Sequence, residues 1–260
     1  MSSNSTTRPK LTVVVMTRNA AHLIADCLTS AAFADEMLVL DSGSTDGTIE
    51  LAEKLGARVV VDPLWRGFGP QRQHAQTLVS HDWIFWLDSD ERITPALRAS
   101  IELALTTSAP TQAWQVNRLT DFFGRYIRHS GWYPDWVVRL HHRHHYRYND
   151  APVHEAIEVP RQQLSSLSGE LLHHTSERLD EYLNKSTRYA ITWGEARAAK
   201  GKRVTVAGVA LRPLWTFLRK YLLQRGFLDG GHGLLLAIQS SHYTFTKYFA
   251  LWVAQQRRQR

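Results

Sequence analysis

Trp83-Ile84-Phe85-Trp86-Leu87-Asp88-Ser89-Asp90 is an unbroken apolar run that ends on a carboxylate and repeats the carboxylate two residues later. Such a run, with no polar alternation, predicts a strand buried on both faces, the environment of a parallel sheet covered by helices. Leu11–Met16 and Glu36–Asp41 are runs of the same kind, and Ala57–Val61 is a shorter one. Helical spacing separates them at Ala20–Ala32, where Leu23, Ile24, Cys27 and Leu28 share a face, and at Thr48–Leu55 and Gln71–Leu78, with Pro95–Leu105 following. The alternation predicts an α/β, doubly wound, mostly parallel sheet with helices on both faces. Such sheets bind ligands beyond the carboxyl ends of their strands.

Acidic residues cluster where that edge is expected. Asp41 closes the second run and opens Asp-Ser-Gly-Ser-Thr-Asp-Gly (41–47), while Asp88 closes the fourth and opens Asp-Ser-Asp. Two hard carboxylates two residues apart in extended chain suit a Mg²⁺ or Mn²⁺ ion that bridges diphosphate oxygens. The plain alternative for an isolated Asp-x-Asp is loop capping. Residues 42–47 also read as a turn feeding a helix, with Ser44, Thr45 or Asp46 near the N-cap.

The chain carries 31 Lys+Arg against 24 Asp+Glu, a formal +7. The excess is confined to one end: from Ala196 onward there are 12 basic residues and a single acid, Asp229, whereas the preceding residues hold 19 basic and 23 acidic. A 43% hydrophobic, 21% charged composition excludes global disorder. One cysteine, Cys27, excludes an intrachain disulfide framework and any thiolate cluster, and fits a reducing, cytoplasmic setting. The Ser/Thr-rich residues 1–10 lack the apolar core of a secretory signal. Gly230–Thr246, free of charged side chains, is too rich in glycine, histidine and hydroxyls to read as a bilayer span.

Four segments in this order, Thr17-Arg18-Asn19, Asp41–Asp46, Gly67-Phe68-Gly69-Pro70-Gln71-Arg72 and Trp83–Arg92, resemble the inverting GT-A glycosyltransferases of the large family two. The similarity extends over about Leu11 to Tyr189, and within the family it is nearest to bacterial lipopolysaccharide core β-glucosyltransferases. The resemblance implies a GT-A fold, Rossmann-like, followed here by a C-terminal amphipathic helical region. It implies transfer of a hexose, glucose in the nearest group, from a nucleotide diphosphate sugar such as UDP-glucose, with inversion, to heptose of a lipid-linked inner-core saccharide. Asp41 then matches the aspartate that reads the donor base, with Thr17 and Asn19 bordering base and ribose and Arg72 lining the nucleotide pocket. Asp88 and Asp90 match the pair that handles ribose and the metal-diphosphate. His173 aligns with a histidine that follows the acceptor region and is a candidate to complete the metal shell beside Asp90; a hydrogen-bonded helix-entry histidine is the alternative.

Inverting transfer needs one general base for the acceptor hydroxyl and cationic compensation for the departing diphosphate. Glu155, in Ala-Pro-Val-His-Glu (151–155), and Asp135, in Trp-Tyr-Pro-Asp-Trp (132–136), are the two candidates, and the Val-His-Glu match favours Glu155. Asp135 has the alternatives of capping a turn or binding the acceptor sugar. Trp132, Tyr133 and Trp136 are suited to stacking on sugars or to flooring a small core, and their crowding near the candidate base favours the former. His141, His142, His144 and His145, interspersed with Arg139, Arg143 and Arg147, read as a solvated face without a closing metal partner.

The expected organisation is a flexible N-terminus over 1–10, a nucleotide-sugar-binding α/β half over 11–110, an acceptor-binding and catalytic region over 111–176, aromatic and irregular from Ala113 to Leu172, and basic helices over 177–260. In Leu211–Leu222, Leu211, Leu214, Trp215, Leu218 and Leu222 share a helical face with Arg212 and Arg219 opposite, and Pro213 is placed in a first turn. Aromatic and basic residues continue through Lys247 and Trp252 to Arg257, Arg258 and Arg260. A basic side chain near an anionic leaflet contributes about 1 kcal/mol, so these helices predict peripheral attachment to the inner face of the inner membrane. A nucleotidyltransferase is the second enzymatic reading, disfavoured because no glycine-rich loop with a lysine follows the first strand. A nucleic-acid-binding protein is the third, disfavoured because the expected ligand edge is acidic.

Overall fold

The four apolar runs become β1 (Leu11–Thr17), β2 (Glu36–Asp41), β3 (Arg58–Val61) and β4 (Trp83–Asp88), parallel neighbours in the order β3-β2-β1-β4. The computed structural model describes residues 8–151, 155–175 and 178–257. Helices α1 (Ala21–Ala31), α2 (Thr48–Lys54), α3 (Phe68–Leu78) and α4 (Pro95–Thr107) follow the strands as the alternation predicts. Alternate residues of each strand feed two cores: Val13, Val15 and Phe85 pack with Ile24, Leu28 and Ile101, while Val14, Leu40 and Trp86 pack with Ala75 and Val79 on the other face. Thr94 caps α4, its hydroxyl accepting from Leu97 N at 3.2 Å with Pro95 at the first position.

The stretch read as irregular contributes three of the eight strands. β5 (Glu91–Ile93), β6 (Ala113–Asp121), β7 (Trp136–His142) and β8 (Leu164–His174) extend the order to β3-β2-β1-β4-β7-β6-β8-β5, with antiparallel pairing of β4 with β7, β7 with β6 and β8 with β5. The sheet is therefore mixed. Its second half escaped the sequence reading because Arg118, Arg139 and several histidines interrupt the apolar pattern, and those side chains are retained by partners instead of solvent.

His141 is one of them, and here the solvated-face reading is corrected. It lies at 0% exposure on β7, opposite Ile84, and its Nε2 accepts the indole N–H of the buried Trp86 at 2.9 Å. Burial pushes its pKa down to about 4. Only His144 and His145 are exposed, in the turn after β7, with Arg143 paired to Asp82 at 3.0 Å.

The chain divides into two compact units, the described residues of Met1–Arg118 with Asp135–His173 and those of Leu119–Pro134 with His174–Arg260. The boundaries differ from those expected because 119–134 packs with the helical part. In that second unit, α5 (Leu179–Ala199) is followed by α6 (Val206–Leu218), and a π turn at 219–223 and a 3₁₀ turn at 226–229 join α6 to α7 (Gly230–Arg257). Asp229 is buried and accepts backbone N–H bonds from His129 at 2.9 Å and Arg128 at 3.3 Å, with His129 Nδ1 at 3.0 Å. Lys220 Nζ donates to the Ser130 carbonyl at 2.7 Å, and burial lowers its pKa to about 8. Trp132 packs in a small core with Phe122 and Leu236, and Tyr133 lies under the Arg128 guanidinium, so these two rings floor the second unit and leave Trp136 alone exposed.

The apolar stripe expected on α6 is present and faces away from the unit's core: Leu211 is 63%, Leu214 55% and Trp215 57% exposed, whereas Val209 and Pro213 are buried. Arg212 lies over the Tyr248 ring of α7 at 4.6 Å. Pro213 is corrected from a first-turn to an interior position, because α6 begins at Val206. Arg258 and Arg260 lie outside the described residues, as do 1–7 of the expected N-terminal segment.

Between pH 7 and pH 5 unfolded histidine takes up a proton that folded His141 refuses, so His141 favours the folded state above pH 6.5 and this contribution disappears as the pH falls toward 4. The expected loss is about 2 kcal/mol at pH 5. Urea melts at the two pH values check it, since His141→Gln, which keeps an acceptor for Trp86, loses this part of the slope.

Candidate active site

Parallel register sets the site. Thr17 stands opposite Asp41 and Met16 opposite Asp88, so β1, β2 and β4 end at one level. Beyond that level opens a cleft of about 890 Å³ whose wall includes Thr17, Arg18, Ser42, Asp90, Trp136 and Glu155, within the size range of small-molecule sites.

The loop after β2 orders itself and its neighbour. Asp41 Oδ1 accepts from Gly43 N at 2.9 Å and Ser44 N at 2.7 Å, and Ser44 Oγ donates to Asp41 Oδ2 at 2.5 Å. Ser44 Oγ accepts in turn from Asn19 N, Asn19 Oδ1 accepts from Thr45 N, and Asp46 Oδ2 accepts from Ala21 N at the start of α1. Asp41, expected to read the donor base, is fully buried with both oxygens engaged in this turn. Asn19 likewise shapes the rim, and the cleft-facing residues of these segments are Thr17, Arg18 and Ser42.

Asp88 is held from two sides. Arg72 Nη2 donates to its Oδ1 at 2.9 Å and Arg139 Nη2 to its Oδ2 at 2.7 Å. Burial alone would raise the Asp88 pKa, but Arg139 and Arg72 outweigh it and hold the carboxyl far below the usual range. Arg139 Nη2 also reaches Glu91 Oε1 at 2.5 Å, and Glu91 Oε2 accepts from Asp88 N at 2.9 Å. Each Asp88 oxygen thus accepts from one guanidinium. Asp88 is an anchor for guanidinium groups, and it remains on the cleft wall with 32% of its side chain open.

Asp90 and His173 come together as the resemblance implies, for a reason of register: β5 pairs with β8 so that Glu91 faces His173, and Asp90 stands one residue before Glu91. His173 Nε2 is 3.4 Å from Asp90 Oδ2, and both line the cleft. His173 is a strand residue, so the helix-entry alternative is corrected. An oxygen and a nitrogen donor at a diphosphate-sized cleft fit a Mg²⁺ or Mn²⁺ ion that completes its shell with phosphate oxygens and water; among the described residues no group of three or more His, Cys, Asp or Glu forms a self-sufficient metal cage.

The two candidate bases separate. Glu155 lines the cleft and accepts from Arg72 Nε at 2.9 Å, whereas Asp135 is held by Arg118 at 2.7 Å and lies outside the cleft wall. Pro152, Val153 and His154 of the Glu155 motif fall outside the described residues. Arg139 and Glu91, both buried in this site, received no role from the sequence. The available signal was a cation inside the apolar run Trp136–Leu140, a position that burial tolerates only with a paired carboxylate.

Residues 12–156 match Glycosyl transferase family 2. The chain belongs to that family. Among its relatives is the lipopolysaccharide core biosynthesis glycosyltransferase LpsC of Rhizobium meliloti, 29% identical over 246 residues, which cover 90% of this chain and 89% of the relative. An uncharacterized glycosyltransferase of Rickettsia prowazekii is 24% identical over 253 residues, covering 93% and 85%. Glucosyl-3-phosphoglycerate synthase from Mycobacterium tuberculosis, crystallised with Mn²⁺, UDP and glucosyl-3-phosphoglycerate, overlaps at a TM-score of 0.37 and 27% identity over 44% of each chain, less than half of that enzyme. The glycosyltransferase assignment displaces both the nucleotidyltransferase and the nucleic-acid-binding readings. No helix among the described residues is long and apolar enough to cross a membrane.

Asp88→Asn is expected to lower stability by about 3 kcal/mol, because it leaves two buried guanidinium groups short of their shared counter-charge. Asp90→Asn, at a half-exposed pair, is expected to change stability by less than about 1 kcal/mol while abolishing the thermal shift produced by UDP with Mn²⁺. Denaturant melts and thermal shifts of the two variants distinguish the roles.

Proposed function

We propose that this glycosyltransferase moves a hexose, glucose in the first instance, from UDP-glucose or a similar nucleotide diphosphate sugar to a lipid-linked saccharide, with inversion at the anomeric carbon. The observation that carries the reading is the placement of Glu155 in the same cleft as the Asp88–Asp90 segment, with Asp135 outside it. Glu155 takes the proton of the acceptor hydroxyl as that oxygen bonds to the anomeric carbon and the bond to the diphosphate breaks. Thr17, Arg18 and Ser42 border the nucleotide, and Trp136, 45% exposed on the cleft wall, offers a face for the acceptor ring. Asp90 and His173 would hold a divalent cation, whose chemistry there is to neutralise charge on the diphosphate.

The acceptor class rests on two supports. LpsC, a relative along most of its length, acts in lipopolysaccharide core biosynthesis, which favours inner-core heptose as the acceptor. The helical unit has the surface for an anionic leaflet: the α6 stripe presents Leu211, Leu214 and Trp215 outward, and the one acid after Glu195 is buried at Asp229. Apolar insertion flanked by unopposed basic charge is the chemistry of interfacial attachment, here to the inner face of the inner membrane.

Glu155→Gln is expected to reduce hexose transfer about 10²–10⁴-fold in a chain that still folds, with a lower melting temperature because Arg72 loses one of its two counter-charges, and Asp135→Asn to retain most of it; near-normal turnover of folded Glu155→Gln overturns the assignment. Leu214→Glu with Trp215→Glu is expected to weaken co-sedimentation with phosphatidylglycerol vesicles at least about tenfold. Equal binding of the unaltered chain to neutral and anionic vesicles contradicts the membrane reading.

A further inference from the structure

Arg72, expected to line the nucleotide pocket, is on the cleft wall, and its contacts also give it a second purpose. Its side chain is 7% exposed, and the guanidinium lies 4.8 Å from the centre of the Tyr148 ring and 5.3 Å from that of Trp86. It is held by two aromatic rings and directs separate nitrogens to separate carboxylates, Nε to Glu155 and Nη2 to Asp88, both at 2.9 Å. These carboxylates come from distant parts of the chain, and a planar guanidinium fixes their mutual placement in a way that the single ammonium of lysine does not.

The segment that carries Glu155 is closed on itself by the isolated bridge between Tyr148 and Ile157 and by Asn149 N donating to the Ala156 carbonyl at 3.0 Å, and further ties run to α3, the helix that bears Arg72. Gly69 N donates to the Ala151 carbonyl at 3.1 Å, and Gln73 Nε2 donates to the Tyr148 carbonyl at 2.7 Å and to Asp150 at 2.9 Å. A side chain at Gly69 would collide with the carbonyl oxygens of Asn149 and Ala151, so glycine permits the approach. The Gly-Phe-Gly-Pro-Gln-Arg segment thus packs its first turn against residues 149–151 and reaches Glu155 with Arg72 from the next.

We propose that Arg72 is a positioning residue that fixes the Glu155 carboxylate relative to Asp88, so that the proton-accepting and donor sides of the cleft are set by one guanidinium. This rests on Glu155 as the base. A misplacement of about 1 Å at a reacting group costs on the order of 100-fold in rate, and that is the effect expected on removing the fork.

The test uses the full chain with membranes from a strain lacking it, which carry the native acceptor, and a panel of nucleotide diphosphate hexoses to select the working donor. Arg72→Lys, which keeps the charge and much of the packing, and Arg72→Ala are compared with the unaltered chain and Glu155→Gln, with folding checked by thermal melts. Both Arg72 variants are expected to lose kcat about 100-fold, with the donor KM and the calorimetric Kd for UDP within about fivefold. Added guanidinium ion is expected to restore part of the rate to Arg72→Ala, through the space vacated beside the Trp86 and Tyr148 rings. A rise in donor KM and UDP Kd with kcat preserved would make Arg72 a wall of the nucleotide pocket and overturn the proposal, as would near-normal kcat in Arg72→Lys. If Glu155→Gln itself keeps normal turnover, the failure belongs to the choice of base.

Discussion

Asp88 stands between two guanidinium groups that have almost no access to water, and the first unit is organised around that arrangement. Arg72 approaches from α3 and Arg139 from β7, so the carboxylate joins the helix after β3 to the antiparallel half of the sheet. A buried guanidinium without a partner carries a desolvation cost of several kcal/mol. Arg139 can therefore occupy a strand interior only where Asp88 and Glu91 are both within reach. The same constraint engages both Asp88 oxygens, whereas Asp90 and His173 stand together on the cleft wall.

Around this anchor runs a chain of alternating charge: Glu155, Arg72, Asp88, Arg139 and Glu91, continued by Arg118 at 3.6 Å and ending on Asp135. Its two ends are the two carboxylates nominated for proton abstraction. One end lines the cleft and the other is neutralised outside it, so chemically similar residues receive different environments from their position in a single network.

The second unit uses its charge differently. From Ala196 onward its one acid, Asp229, is consumed in holding residues 128 and 129, so α6 and α7 carry basic charge alone, whereas α5 carries Asp180, Glu181 and Glu195. Burial of that acid is a feature that no count of charges reveals. The aromatic residues flanking Asp135 also divide: Trp132 and Tyr133 serve packing, and Trp136 lines the cleft.

Residues close in sequence announced what local physics decides. Uninterrupted apolar runs specify strands buried on both faces, so β1 to β4, their parallel direction and the edge at which Asp41 and Asp88 stand were legible. Contacts between residues far apart in sequence were not. Arg139 and His141 read as solvated until Asp88 and Trp86 are brought to them, and Asp41 reads as a free ligand until its own turn is closed upon it. The antiparallel half of the sheet was hidden for the same reason: a charged or polar side chain inside a strand is compatible with burial only when a specific partner arrives from elsewhere in the chain, and that pairing exists only in the folded molecule.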